Sequence, residues 1–243
     1  MDKKTIGDIQ INIINEDEVM NYLDERITNK EKTKMFFLNA HCFNIAQVNK
    51  VYKENINNSH LLLNDGIGMD ITAKLFGFTF PQNMNGTDFT PKLLEYAEKK
   101  GLTIYLLGGE IGVVETAQKN FEDKFSRLNI VGAHHGYFLN DEMRVIEDIN
   151  KNRPDILIVG LGVPLQENWI SKHFEELNTK IIIGVGAFLD FSAKKVKRAP
   201  KWMRVCKLEW LFRLLLEPKR MFKRYVIGIP LFFFYILKYR IRP

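Results

Sequence analysis

Short apolar runs alternate along this chain with segments in which apolar residues recur every three to four positions. The runs predict buried β-strands over residues 34–40, 60–65, 103–109, 129–138, 155–162 and 180–187. The periodic segments predict α-helices over residues 41–55, 68–77, 89–101, 113–125, 142–153 and 164–177. Strands that alternate with helices are typical of the α/β class. We therefore expect a Rossmann-like parallel sheet with helices on both faces.

Glycines and polar residues follow the predicted strands at the point where each strand ends. They are Asn39, Asn64, Asp65, Gly66, Gly108, Gly109, Gly160, Gly162, Gly184 and Gly186. In parallel sheets, ligands bind beyond the carboxyl ends of the strands. This edge is therefore the expected binding site of a nucleotide or another phosphorylated ligand.

Asp65 stands between a leucine-rich strand and the turn that Gly66 begins. Its carboxylate has two interpretations. It either accepts hydrogen bonds within an Asx-type turn, or it is partly desolvated, has a raised pKa and acts as a general base. The local sequence does not decide between them.

Two further strand ends carry candidate ligand contacts. Gly108, Gly109 and Gly112 resemble a loosened dinucleotide fingerprint without its full pattern, and the alternative is a tight turn between strand and helix. Gln166 and Glu167 fall in the first turn of a predicted helix. Gln166 is expected to hydrogen-bond a base or a sugar. Glu167 either accepts from a ribose diol or interacts with the helix dipole.

No metal site is expected from the remaining polar residues. His134 and His135 are adjacent in a predicted strand, so their side chains are expected on opposite faces, and no third ligand is near in sequence. Asp88 is expected to cap the helix that follows it, together with Thr87.

The formal net charge of +6 is unevenly distributed. Residues 194–243 contain fifteen Lys or Arg and two acidic residues, which gives +13 and leaves −7 for the rest of the chain. A basic tail suits an anionic partner, and no nucleic-acid-binding motif is present, so nucleic acid is not the expected one. The N-terminus lacks the apolar region of a secretory signal. Cys42 and Cys206 are expected to be free thiols in a reducing compartment.

Apolar residues of the tail favour a membrane surface as the partner. Taken as one helix, residues 210–225 place Trp210, Leu211, Leu214, Leu215, Met221, Phe222 and Tyr225 on one side and Arg213, Lys219, Arg220, Lys223 and Arg224 on the other. Pro218 is expected to kink this helix or to begin a second one. The apolar stretch 226–237 is shorter than the ~20 residues of a spanning helix, which favours an interfacial position. The alternative is a C-terminal helix packed on the core with a solvated basic face.

Several segments together resemble one family. LNDGIGMD, NGTDF, LLGG, GLGVPLQENW, GVGAFLDF, KRAP, LEWLFRLLLEPKR and RY occur in the order found in the WecG/TagA/CpsF glycosyltransferases. The resemblance implies a Rossmann-like core with a C-terminal membrane-docking appendage. It also implies inverting transfer of N-acetylmannosamine from a UDP-sugar to undecaprenyl-diphosphate-linked N-acetylglucosamine, without metal or cofactor, at the cytoplasmic face of the bacterial inner membrane.

The same resemblance implies roles for individual residues. Asp65 corresponds to the catalytic base, and Gln166 corresponds to a residue at the substrate site. The appendage residues Arg213, Arg220 and Arg224 correspond to arginines that complete the site over the diphosphate. Without a metal ion, the leaving UDP needs cations, and guanidinium groups supply charge and paired donors to phosphate. Substrate contacts are also expected at Asn39, Gly108, Gly109 and Glu167.

The predicted organisation is a core over residues 1–195 and an appendage over residues 196–243. Within the core, residues 1–100 are expected to hold the base and acceptor, and residues 101–195 the nucleotide sugar. A homo-oligomer is compatible with this organisation. The rival hypothesis is a catalytically silent UDP-sugar-binding subunit that recruits partners to the membrane.

Three positions depart from the family pattern. Phe37 stands where a threonine is common, Asn83 where an arginine is common, and Lys194 or Lys195 where a glycine is usual. These positions lie near the expected substrate pocket, so they bear on which donor and acceptor sugars are used.

Overall fold

The structure is a computed structural model that describes residues 1–138 and 141–241. Its strands are β1 (Lys3–Ile6), β2 (Ile9–Asn12), β3 (Thr33–Leu38), β4 (Leu61–Asn64), β5 (Thr103–Gly108), β6 (Asn129–His134), β7 (Ile156–Gly160) and β8 (Ile181–Gly184). β1 and β2 form an antiparallel hairpin. The other six form one parallel sheet in the order β4-β3-β8-β7-β5-β6. The predicted parallel sheet is confirmed.

The helices connect these strands and then form the C-terminal segment, which comprises the described residues 196–241. They are α1 (Glu16–Thr28), α2 (Ala40–Val48), α3 (Lys50–Asn57), α4 (Ile67–Leu75), α5 (Gly86–Lys100), α6 (Val113–Lys124), α7 (Glu142–Asn152), α8 (Leu165–His173), α9 (Phe188–Ser192), α10 (Lys201–Val205), α11 (Glu209–Leu216), α12 (Pro218–Phe222), a π-helical turn (Lys223–Ile227) and α13 (Gly228–Ile241). Among the described residues, no helix is both long and apolar enough to cross a membrane.

Helices cover both faces of the sheet, as predicted. Successive strand residues point to opposite faces, and the neighbours Met35 and Phe36 accordingly belong to two separate cores. Phe36 packs in a core with Phe43 of α2 and Tyr105 of β5. Met35 packs in the other core, which contains Leu93 of α5. Apolar runs without alternation are what a sheet buried on both faces requires.

Two N-terminal regions differ from the prediction. The helix predicted over residues 41–55 is two helices, because the side chain of Asn49 accepts from Tyr52 N at 2.9 Å and caps α3. The β1–β2 hairpin and α1 were not predicted. The hairpin covers the edge of β4, where Leu62 N donates to Asn12 Oδ1 at 2.9 Å. This hairpin thereby occupies a strand edge that would otherwise be open.

Residues 210–225 do not form one continuous helix. Pro218 begins a new helix, which is the second of the two outcomes expected for it, and α12 is followed by a π-helical turn. The predicted apolar side is consequently split, since Met221 is buried whereas Leu215 and Phe222 are exposed.

The last helix packs on the core. Phe232 and Ile236 of α13 are fully buried. Asn44 Nδ2 of α2 donates to Gly228 O at 2.7 Å, and Tyr239 Oη donates to Gln47 Oε1 at 2.8 Å. The packing of α13 on the core agrees with the alternative prediction for the tail. Its outer side differs from that prediction, because it is apolar rather than basic. The last two residues of the tail predicted over 196–243 lie outside the described residues.

Candidate functional site

A cavity of about 1480 Å³ opens at the carboxyl ends of the strands, where the sequence predicts ligand binding. Seven of the predicted site residues line it: Asn39, Asp65, Gly109, Gln166, Arg213, Arg220 and Arg224. Gly108 and Glu167 are not among the lining residues. The cavity therefore joins strand ends of the core to the C-terminal segment, which forms its cover.

Asp65 directly follows β4, and its backbone extends the strand by donating N–H to Leu38 O at 2.9 Å. The chain then turns at Gly66, whose φ of +88° is in the region that favours glycine. This turn is held by Asn83, whose Oδ1 accepts from Gly66 N at 2.7 Å. The carboxylate of Asp65 instead accepts from Asn39 Nδ2 at 3.0 Å. These contacts favour the second interpretation of Asp65, in which the carboxylate is available for chemistry.

The surroundings of Asp65 tune its basicity in opposite directions. Burial raises the pKa of Asp65 above its ordinary value. The hydrogen bond from Asn39 and the charges of Arg224 and Arg213 lower this pKa but do not cancel the effect of burial. A carboxylate with a raised pKa is a better proton acceptor, and the general-base role of Asp65 stays a prediction that this environment supports.

Asn39 connects this carboxylate to a helix. Its Oδ1 caps α2 by accepting from His41 N at 3.1 Å and Cys42 N at 3.0 Å. Its Nδ2 is thereby left pointing at Asp65. The position lines the cavity, and the expected contact of Asn39 with substrate stays a prediction.

Replacing Asn39 by serine should separate these two roles. Serine is a good N-cap, so the free energy of unfolding should change little, but the donor to Asp65 is lost. The hydrogen bond from Asn39 lowers the pKa of Asp65, so its loss should move the acidic limb of the pH–rate profile to higher pH. Asn39→Ala should show the same shift and also lose about 1 kcal/mol of stability. An unchanged acidic limb in both variants would separate Asn39 from the base.

Gln166 and Glu167 have different surroundings, although they are adjacent in α8. Gln166 Oε1 accepts from Gly186 N at 2.9 Å, and Gln166 Nε2 donates to Glu167 Oε1 at 2.9 Å. The amide of Gln166 therefore holds the turn after β8 in the cavity wall. Glu167 is 1% exposed, and its Oε2 has no hydrogen-bond partner among the described residues. This places Glu167 behind the wall, where it orients Gln166.

Burial raises the pKa of Glu167 from 4.5 to about 7, with the hydrogen bond from Gln166 opposing this shift. The folded state thus binds this proton more tightly than the unfolded state, so stability should fall as pH rises from about 4.5 to about 7. A shift of this size corresponds to about 3 kcal/mol. Glu167→Gln keeps the acceptor for Gln166 and cannot ionise, so urea unfolding of this variant should lack most of that fall. A variant whose stability falls like that of the wild type between pH 5 and pH 8 would contradict the burial argument.

Gly108 and Gly109 form a close approach between two strand ends. A Cβ at Gly108, whose φ is +138°, would lie 2.4 Å from Gly160 O. Gly109 N donates to the same oxygen at 3.2 Å. The tight-turn interpretation therefore accounts for Gly108, whereas Gly109 also lines the cavity.

Three arginines of the C-terminal segment line the cavity, one each from α11, α12 and the π-helical turn. Arg213 stacks on the ring of Phe191, with 5.3 Å between its Cζ and the ring centroid. Arg220 pairs with Glu217 at 2.6 Å. Arg224 has a buried Nε without a hydrogen-bond partner among the described residues. The cover of the cavity therefore carries guanidinium groups, one of which has an unsatisfied donor.

Sequence reasoning missed further cavity residues. Asp190 lies in the cavity wall. Burial raises the pKa of Asp190, and the charges of Lys195, Arg220 and Arg213 oppose this shift. His41 also lines the cavity, and burial together with the Arg224 charge lowers its pKa to about 4. Asp190 follows the strand-end glycines of β8 and could have been found by that signal, whereas nothing local distinguishes His41.

The three departures from the family pattern have structural explanations. Phe37 is an apolar wall of the cavity, and a Cβ at Gly86 would lie 3.0 Å from its ring. Asn83 holds the turn after Asp65. Lys194 has a φ of +57°, a conformation that glycine favours, so of the two lysines Lys194 better suits the position where glycine is usual. Phe37 is therefore the departure that changes the chemistry of the cavity wall.

Two predictions outside the cavity are corrected. His134 and His135 do not project to opposite faces of a strand, since β6 ends at His134 and the ring centroids are 4.4 Å apart. The cap of α5 is Asn85 rather than Asp88, because Asn85 Oδ1 accepts from Asp88 N at 2.9 Å. Over residues 1–138 and 141–241, no three His, Cys, Asp or Glu side chains are grouped so that they could hold a metal ion.

The fold and the cavity define an α/β protein with a large cavity at the carboxyl edge of its parallel sheet, which has a carboxylate at one wall and guanidinium groups in the cover. A sequence model of the Glycosyl transferase WecG/TagA/CpsF family matches residues 4–243. The chain belongs to this family, and it is a glycosyltransferase.

Curated relatives carry a more specific name. The N-acetylglucosaminyldiphosphoundecaprenol N-acetyl-beta-D-mannosaminyltransferases of Staphylococcus aureus strains NCTC 8325 / PS 47 and COL are each 29% identical to this chain over 212 residues. The matched region covers 86% of this chain and 82% of each relative. The protein of the same name from strain MRSA252 has the same identity and coverage.

Proposed function

We propose that this protein transfers an N-acetylhexosamine from a UDP-sugar to a polyprenyl-diphosphate-linked N-acetylglucosamine. The first candidate for the transferred sugar is N-acetylmannosamine. The acceptor is the substrate that the names of the relatives describe. One observation carries the proposal: a single cavity brings together Asp65, with its raised pKa, and three arginines of the cover. In this role the protein serves the synthesis of a bacterial surface polysaccharide, such as a teichoic acid linkage unit, and works without metal or cofactor.

The proposed reaction uses the carboxylate in the cavity wall and the guanidinium groups in its cover. Asp65 takes the proton of the acceptor hydroxyl, whose oxygen attacks the anomeric carbon of the donor sugar. The bond from that carbon to the UDP oxygen breaks, and the electron pair leaves with UDP. Attack from the side opposite to the leaving group inverts the anomeric configuration. Arg213, Arg220 and Arg224 stabilise the negative charge that develops on the diphosphate.

The lipid-linked acceptor requires a position on the membrane, and the C-terminal segment supports one. Its exposed apolar side chains include Trp202, Val205, Leu215, Leu216, Phe222, Val226, Ile227, Leu231, Phe234, Leu237 and Ile241. Lysines and arginines are interspersed with them. Apolar side chains with neighbouring cations bind the interface of anionic lipids. We propose peripheral attachment at the cytoplasmic face of the inner membrane.

A donor screen tests the proposed function. Purified protein is incubated with UDP-N-acetylmannosamine, or with other UDP-N-acetylhexosamines, and a synthetic polyprenyl-diphosphate N-acetylglucosamine in the presence of EDTA. We expect release of UDP and a disaccharide product by mass spectrometry, with an inverted anomeric configuration by NMR. Binding of UDP without turnover on any donor would instead support the rival, a silent nucleotide-sugar-binding subunit.

A further inference from the structure

An exposed apolar ridge lies on a helix of the core, outside the C-terminal segment. Ile67, Ile71 and Leu75 follow one another at every fourth position of α4, and each is about 40% exposed. Residues this far apart lie on the same face of a helix. The opposite face is buried through Met69 and Ala73. α4 is thus anchored in the core and presents a continuous apolar row outward.

The ridge of α4 runs alongside α13. Near the start of both helices, a Cβ at Gly68 would lie 3.4 Å from the ring of Phe232. Near their ends, Arg240 Nε donates to Leu75 O at 3.0 Å. The two contacts are seven positions apart on α4 and eight positions apart on α13, so the two helices lie side by side in the same direction.

α13 presents apolar side chains outward as well. Leu231, Phe234, Leu237 and Ile241 are exposed, whereas Phe232 and Ile236 face the core. The paired outer faces of α4 and α13, which we term the α4–α13 face, therefore combine two apolar rows. Exposed apolar patches of this kind mark interaction sites.

The charges beside this face indicate its partner. Lys74 of α4 and Lys238 of α13 are exposed, and none of the ion pairs within the described residues includes them. Lys207 is paired with Asp70 at 2.7 Å. A second copy of the chain would bring like charges towards each other across a twofold axis, which is unfavourable. An anionic lipid surface neutralises such charges while it accepts the apolar rows.

The cavity lies at the N-terminal end of the same pair of helices. Asp65 is two residues before α4 begins, and Ile227, Gly228 and Leu231 at the start of α13 line the cavity. A surface under both helices therefore lies next to the cavity. We propose that the α4–α13 face lies on an anionic lipid bilayer, with α4 of the core as a second contact, so that the cavity opens at the level of the lipid head groups.

The reason for this orientation rests on the proposed function, in which the acceptor is a lipid-linked sugar. The acceptor sugar is linked to its lipid by only a diphosphate, so it cannot move far from the head groups while the lipid stays in the bilayer. A cavity at that level receives the sugar without extraction of the lipid. Attachment by the C-terminal segment alone does not specify this orientation.

The test compares Ile71→Gln/Leu75→Gln with the wild type and with Met143→Gln. Met143 is 59% exposed on α7, which packs on β6 at the opposite edge of the sheet from β4, and so serves as a matched control. Sedimentation with vesicles of phosphatidylglycerol and phosphatidylcholine measures binding. Turnover is measured with a long-chain acceptor in the same vesicles and with a short-chain, water-soluble acceptor.

We expect the double variant to bind vesicles about tenfold or more weakly and to lose turnover in proportion on the vesicle-bound acceptor. Turnover on the soluble acceptor, the thermal unfolding midpoint and the behaviour of Met143→Gln should stay unchanged. If the double variant does not fold, Lys74→Glu should weaken vesicle binding in the same direction.

Three results would overturn the proposal. They are unchanged vesicle binding by a folded double variant, equal loss of turnover on both acceptors, and a lipid-free dimer that the substitutions dissociate without affecting vesicle binding. Absence of turnover by the wild type on either acceptor would refute the proposed function instead. The vesicle-binding comparison would still stand in that case.

Discussion

Replacing Asp65 by asparagine should lower the rate of sugar transfer by about 10²- to 10⁴-fold, the contribution typical of a general base. The amide has nearly the shape of the carboxylate and can still accept from Asn39, but it cannot take the proton of the acceptor hydroxyl. Folding and UDP binding should therefore be retained. Turnover by mass spectrometry, thermal unfolding and UDP titration measure the three properties.

The pH dependence of the wild type gives a second readout of the same assignment. Because burial raises the pKa of Asp65, the rate should rise with pH through a value above the ordinary range of an aspartate, and protonation should inactivate the enzyme below it. Asp190→Asn is a matched control, since Asp190 is another cavity carboxylate with a raised pKa. Asp190→Asn should retain the acidic limb of the pH–rate profile. Near-wild-type turnover of Asp65→Asn would refute the assignment of Asp65 as the base.

Replacing Arg224 by glutamine should lower kcat/KM by about 10²- to 10³-fold, the effect of removing one preorganised donor from a developing anion. Its charge also lowers the pKa of both Asp65 and His41. The acidic limb of the pH profile should consequently move to higher pH in this variant. The kcat/KM of Arg224→Lys should fall between those of the wild type and Arg224→Gln, because lysine keeps the charge but not the planar paired donors.

Lys219→Gln controls for the loss of one positive charge from the same segment. Lys219 is exposed and does not line the cavity, so its replacement should leave kcat/KM nearly unchanged. If Lys219→Gln and Arg224→Gln had equal effects, the role of Arg224 would reduce to general attraction of anions. Deletion of the whole segment is a poorer test, since it also removes the buried Met221, Phe232 and Ile236.

Much of the core was predictable because the pattern that specifies it is local. Apolar runs without alternation predicted strands buried on both faces, and Met35 and Phe36 pack in opposite cores as this requires. The predictions failed where one side chain overrode the pattern. Asn49 split a predicted helix by capping its second half, and Asn85, rather than Asp88, took the cap of α5.

The site was predictable only in part. Strand-end polar residues and family resemblance selected Asp65 and Gln166, which line the cavity. Glu167 is adjacent to Gln166 in sequence but is buried behind it. Periodicity assigns a residue to a helix, but it does not report how deeply that helix turn is covered by its neighbours.

The sequence by itself determined the parallel α/β class, the edge of the sheet at which the cavity opens and the basic, apolar character of the tail. These properties depend on the order and type of residues within short segments. The family resemblance implied that Arg213, Arg220 and Arg224 reach the site, but residue spacing did not, and only the tertiary structure placed them in one cavity with Asp65 and α4 beside α13. Contacts between distant segments depend on how packed helices close the chain on itself, and residue spacing carries no record of that geometry.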